Sequence, residues 1–248
     1  MIPLRDANPV RRFPVVTIGL IAACVIAFAY ELGTQSTGGD GALEDLFRQY
    51  GLVPAQLTAS LGPGADQADA LYREVLAVVT SMFLHGGWLH LIGNMLYLWI
   101  FGNNIEDRLG RLPFILFYLA GGVAAAVSQV LIAPHSDVQV IGASGAIAAV
   151  LGAYVVLYPR ARILSLVFLG FFYQLLQVPA LIVLGLWFVL QLIDGLASLG
   201  VESSAGGVAL FEHIGGFVVG VLIGLVVRAG SPRPPARGFG PPDGVGVG

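Results

Sequence analysis

The chain has 248 residues, 56% hydrophobic and only 11% charged, with 12 arginines, no lysine and a net charge of −3. A soluble domain is nearer a quarter charged, so this composition excludes an ordinary soluble domain and a disordered chain. The weak charge of either sign excludes a nucleic-acid-binding module. What remains is an all-α, polytopic membrane protein in which four histidines and a few other polar groups are the places to seek chemistry.

In chain order, residues 1–13 form a polar leader bearing Arg5, Arg11 and Arg12. The apolar run 14–30 follows, and because five further spans come after it, it reads as a retained signal anchor rather than a cleaved peptide. Residues 31–81 form a long loop in which Leu43, Leu46, Phe47 and Tyr50 recur at helical spacing, so it is expected to fold and rest partly on the membrane. Runs at 84–103, 112–132, 142–158, 178–199 and 207–227 are each close to the roughly 20 residues that a helix needs to cross a hydrocarbon core of about 30 Å. The membrane domain thus occupies 14–228 with six helices. Residues 163–177 are apolar as well and are expected to form an interfacial or partly embedded helix leading into the fifth span. The Gly- and Pro-rich stretch 229–248 reads as a disordered tail. With six spans, ten arginines fall on one side and only Arg48 and Arg73 on the other, which predicts that both termini are cytoplasmic. Cys24 is alone, so no intrachain disulfide is available.

The second, fourth and sixth spans run in the same direction and carry their polar groups near the same end. His90 and Asn94 lie one turn apart on the second, Ser144 opens the fourth, and His213 lies six residues into the sixth. Polar side chains at such depth face a bundle interior or a water-filled cavity, because lipid leaves them unsatisfied. His213, Gly216, Gly220 and Gly224 form a stripe of small residues on the sixth span, matched by Ser144, Ala148 and Gly152 on the fourth. Close packing of these faces predicts that Ser144 comes within reach of His213. A serine beside a histidine in a water-poor cavity is the minimum for acyl transfer, and the helix N-terminus at Ser144 with the side chains of His90 and Asn94 supplies donors for an oxyanion.

These residues resemble the rhomboid family of intramembrane serine proteases. The resemblance runs from about residue 78 to 224 and rests on His85-Gly86-Gly87-Trp88-Leu89-His90 with Asn94, on Gly142-Ala143-Ser144-Gly145, and on His213 with Gly216 and Gly220. It implies a six-helix bundle, a Ser144/His213 catalytic dyad, an oxyanion hole of His90, Asn94 and the Ser144 amide, and no cofactor. It also implies single-span membrane-protein substrates in the lipid bilayer, cut near the outer membrane face with access past the fifth span. The family usually has an aromatic residue four after the serine, stacked on the histidine. Here that position is Ala148, and Tyr154 or Phe217 is the expected substitute. The family's Trp-Arg pair ahead of the first histidine is replaced by Leu76-Ala77, with Tyr72-Arg73 one turn earlier.

The remaining ionisable residues carry less. Asp194 is expected to reach the interface or bond a neighbouring helix, Glu212 to point about 100° away from His213, His135 to be a solvated loop residue and His85 to bond within the outer loop. No metal is expected, since neither HExxH nor Cys/His ligand spacing is present. The alternative to a protease is a catalytically silent relative that binds transmembrane clients. A channel or transporter would need polar groups through to the other face, and the inner halves of these spans are apolar. Arg-, Ala- and Gly-rich usage without lysine suggests a bacterial plasma membrane.

Overall fold

Apolar runs become helices that bury their backbone groups in a computed structural model describing residues 1–63, 67–169, 172–198 and 209–230. The chain begins with a short strand, β1 (Ile2–Asp6), then α1 (Val15–Tyr50), α2 (Pro54–Ser60) and α3 (Gln67–Thr80). Next comes α4 (Trp88–Tyr97), continued through a wide π-helical turn (Leu98–Gly102) into α5 (Asn103–Leu109), and then α6 (Arg111–Ile132) and α7 (Ser144–Leu157). Two strands, β2 (Arg162–Leu169) and β3 (Phe172–Pro179), precede α8 (Ala180–Ser198) and α9 (Ala209–Ala229). The bundle is the all-α membrane architecture expected from the sequence: α1, α6 and α9 are long and apolar enough to cross a membrane, α4 to α5 forms a broken span with α3, and α7 and α8 are shorter apolar helices.

Helix α1 is helical past Tyr30 and breaks at Gly39, whose φ of +74° suits a glycine. Its free first-turn amides find an acceptor in Glu106 of α5, which takes the N–H of Val16 (3.0 Å), the N–H of Thr17 (2.8 Å) and the Thr17 hydroxyl (2.7 Å). Residues 68–83 meet residues 88–109 at 82°, so α3 lies across the bundle axis before the chain turns in at His85-Gly86-Gly87.

The centre of the bundle is α7. Its residues from Ser144 to Tyr154 are all buried, and its 14 residues span only about 21 Å against a hydrocarbon core of about 30 Å. A central helix this short leaves its serine end recessed when its other end is level with the membrane face. Helix α9 packs on it almost backbone to backbone. A Cβ added at Gly220 would meet the Ala149 carbonyl and lie 2.7 Å from its Cα; at Gly152 it would meet the Phe217 carbonyl, and at Gly224 it would stand 3.0 Å from the Ala153 Cα. Helix α6 closes the third side, its Gly121 against the Ala149 methyl and its Gly122 against Met82.

One expectation is overturned. Residues 163–177 do not form an interfacial helix; they are most of an antiparallel hairpin, with Ile163 opposite Val178 and Phe168 opposite Tyr173. Burial at Ile163 and Ser165 but not at Leu164 has the period of two of a strand, and β1 adds on the other edge, Ile2 opposite Leu166 and Asp6 opposite Ile163. The pairing partner lies some 160 positions back in the chain, beyond the reach of any local pattern. The sheet is pinned to the far end of α7 through Asp6, whose Oδ2 accepts from Asn104 Nδ2 (2.7 Å), Asn8 Nδ2 (2.9 Å) and Tyr154 Oη (3.0 Å). The tail read as disordered lies, beyond Gly230, outside the described residues.

Two measurements check this packing. Gly220→Val forces two γ-carbons into the Ala149 backbone, and overpacking of this kind costs about 1–3 kcal/mol, so the midpoint of thermal unfolding in detergent should fall by several degrees. Burial raises the Asp6 carboxyl above its ordinary 3.8 against the lowering effect of its donors. The folded chain therefore holds a proton that the unfolded chain has released, and this group's contribution to stability is lost as pH rises above 3.8 through the raised native value. Asp6→Asn removes that titration, and a pH series of unfolding midpoints should show a shallower decline across the window than the parent chain.

Candidate functional site

Ser144 is the first residue of α7, where the free amides of the first turn and the helix dipole favour negative charge. The loop that delivers it is tied to the outer helices. Leu52 and Val140 exchange backbone hydrogen bonds (3.1 and 2.7 Å), and the Gly142 N–H donates to the Ser81 carbonyl at 2.8 Å. Gly142 has φ of +129°, a conformation that L side chains rarely adopt, and so lets the chain turn sharply into the helix.

The same glycine marks where groups converge. A Cβ at Gly142 would stand 2.7 Å from Nε2 of His90 and 3.4 Å from Oγ of Ser144, so the imidazole from α4 and the hydroxyl from α7 border one small space. Asn94, one turn along α4 from His90, is buried, and its Nδ2 has no hydrogen-bond partner among the described residues. A buried amide donor without an acceptor is a group held ready for one that arrives.

His213 lies level with Ser144. Its neighbours on α9, Glu212 and Gly216, both touch Gly145: a Cβ at Gly145 would be 2.6 Å from Glu212 Oε1, and one at Gly216 would meet the Gly145 carbonyl and stand 3.3 Å from the Ala148 methyl. The imidazole is 4% exposed, and neither ring nitrogen has a hydrogen-bond partner among the described residues, so serine and histidine are brought to one level without a hydrogen bond between them. Glu212 lies in the seam between α7 and Ala125 of α6. Gly142, Gly145, Gly216 and Gly220 thus each stand where a side chain would strike a neighbour.

Sequence reasoning did not place three residues around this space, although it named His85 in the motif and expected it to bond within the outer loop. Trp187 of α8 faces His213, ring centroids 5.6 Å apart at 58°. Neither expected substitute takes that place: Tyr154 is bonded to Asp6 at the sheet end, and Phe217 pairs with Phe188 at 5.9 Å. A tryptophan in an apolar span was the available signal. The other two are Glu31 and His85, behind His90. The Glu31 carboxylate accepts the His85 N–H at 3.0 Å, the His85 Nδ1 lies 3.0 Å from the Phe83 carbonyl, and the His85 ring packs edge-on to His90 at 5.1 Å. His135 is exposed in the loop before α7, and Tyr72 and Arg73 are exposed on α3. Asp194 falls in α8, with its side chain outside the described set.

Comparison with known proteins agrees with this architecture. The family model described as Rhomboid domain matches residues 72–230. The chain is 29% identical over 153 residues to Rhomboid protein 1, mitochondrial, of Saccharomyces cerevisiae, covering 60% of this chain and 41% of that protein. It is 33% identical over 150 residues to Rhomboid protease GluP of Bacillus subtilis, covering 60% and 26%. To RHOMBOID-like protein 4 of Arabidopsis thaliana it is 32% identical over 177 residues, covering 71% and 40%. The chain spans less than half the length of each of these relatives.

Gly142→Ala tests the convergence directly. The new methyl meets the His90 ring and the backbone is strained at once, so the expected result is a loss of about 1–3 kcal/mol in thermal unfolding and a displaced His90 ring signal in NMR spectra of the labelled protein.

Proposed function

The chain belongs to the rhomboid family, and on that premise we propose that it is an intramembrane serine endopeptidase acting on membrane proteins through Ser144 and His213. The observation that carries this reading is the convergence of the Ser144 hydroxyl and the His90 imidazole at Gly142, with His213 held at the same level by the glycine stripe of α9. The Bacillus subtilis relative named a rhomboid protease supports it.

In the mechanism, His213 takes the proton of Ser144 Oγ as the oxygen attacks the scissile carbonyl carbon. The carbonyl π pair moves to oxygen. The oxyanion sits at the N-terminus of α7, with the Ser144 amide, Asn94 Nδ2 and His90 Nε2–H as donors. As the intermediate collapses the C–N bond breaks, and the imidazolium gives its proton to the leaving amine. Water then attacks the acyl-enzyme, again with His213 as base, and releases the carboxylate and free Ser144. Resting hydrogen bonds in such sites are often open and tighten only when substrate is bound, in keeping with His213 ring nitrogens that have no hydrogen-bond partner among the described residues.

The preferred substrate is a single-span membrane protein cut near the outer face. The shortness of α7 supports a Ser144 recessed below one face, and the arginine distribution supports that face lying outside, with both termini cytoplasmic. The composition favours a bacterial plasma membrane. Ser144→Ala and His213→Ala in proteoliposomes are each expected to reduce cleavage of a single-span reporter by at least about 10³-fold with unfolding midpoints preserved. A fluorophosphonate probe should label the parent chain but not Ser144→Ala. Undiminished cleavage by Ser144→Ala overturns the reading, and a folded parent chain that neither cleaves nor takes the probe is the client-binding relative instead.

A further inference from the structure

A buried imidazole needs something to fix its ring plane, because the second side-chain torsion of histidine is broad. In this protein hydrogen bonds do not do it: both ring nitrogens of His213 lack partners among the described residues. The facing helix does not do it either, since Ala148 offers only a methyl group near Gly216. The ring that does contact His213 is the Trp187 indole, at 5.6 Å, and the same indole lies 6.1 Å from the ring of Tyr97 on α4. Trp187 therefore bridges the two helices that bear His90 and Asn94 on one side and His213 on the other.

Its own helix is lightly held. Ala180, Val183 and Leu184 are buried at the sheet end of α8, whereas Leu186, Val189, Leu190 and Ile193 are exposed. Beyond Leu184, among the described side chains, two aromatic contacts join α8 to α9, Trp187 on His213 and Phe188 on Phe217. We propose that Trp187 is a positioning residue for the base: its indole holds the His213 imidazole in the plane that turns one ring nitrogen toward Ser144. This inference rests on the Ser144/His213 reading.

The test uses the full chain in proteoliposomes with a single-span reporter, comparing Trp187→Phe, Trp187→Leu and Trp187→Ala with Phe188→Ala, which removes the neighbouring α8–α9 ring contact and leaves the indole on His213. Misorientation of a catalytic group costs up to about 10²-fold, so Trp187→Ala and Trp187→Leu should lower kcat by about 10- to 100-fold with KM within about 3-fold. Trp187→Phe should stay within about 3-fold of the parent, and Phe188→Ala should retain kcat. Fluorophosphonate labelling of Ser144, which needs no entry of a substrate helix, should slow in parallel. In a Ser144→Ala background the His213 ring proton should move downfield when the indole and its ring current are removed. Should Trp187→Ala fail to fold, the contrast of Phe with Leu at this position decides. Unchanged kcat in Trp187→Leu, an equal loss in Phe188→Ala, or an unmoved His213 signal overturns the proposal. Failure of the dyad itself is read separately, from cleavage by Ser144→Ala.

Discussion

The near-backbone contact between α7 and α9 is the constraint from which the rest of the molecule follows. Lipid tails give no hydrophobic drive for two apolar helices to associate, so their attraction comes from dispersion between closely fitted surfaces. Gly216, Gly220 and Gly152 remove the side chains that would hold the axes apart, and the Gly145, Ala149 and Phe217 carbonyls occupy the space released. A contact this tight admits one register. That register decides the level of His213 relative to Ser144, so packing and placement of the polar groups are one fact.

Such a helix pair must also be held along its length. At the sheet end, Asp6 joins Asn8, Asn104 and Tyr154, and the Tyr158 hydroxyl donates to the Asn104 carbonyl at 3.1 Å. At the serine end, the Leu52–Val140 bridge and the Gly142–Ser81 hydrogen bond fasten the loop to the outer helices. The position of Ser144 is therefore set by elements on both sides of the bundle. In the proposed mechanism this is the preorganisation that charge stabilisation requires, because donors already in place cost no rearrangement when the charge forms.

Helix α8 stands apart from this rigid centre. Among its described residues, exposed apolar side chains continue the apolar outer surface, while Ala180, Val183, Leu184 and the Trp187 and Phe188 rings meet the other elements. A buried core beside a less buried outer helix is a division of local stability, which follows the number of buried contacts.

The amino-acid sequence by itself determined the membrane class, the apolar spans, the glycine stripe and the grouping of His90, Asn94, Ser144 and His213 near one end of three spans, because hydropathy, helical period and spacing are local properties of the chain. Tertiary structure alone decided what depends on distant partners. The β2–β3 hairpin gains β1 on its edge from the other end of the sequence, and Trp187 faces His213 because α8 packs beside α9. Glu31 supports the His85 backbone from a helix 54 positions away. A pattern read along the chain registers which face of an element is apolar. Which side chain arrives at that face is settled only when the elements pack.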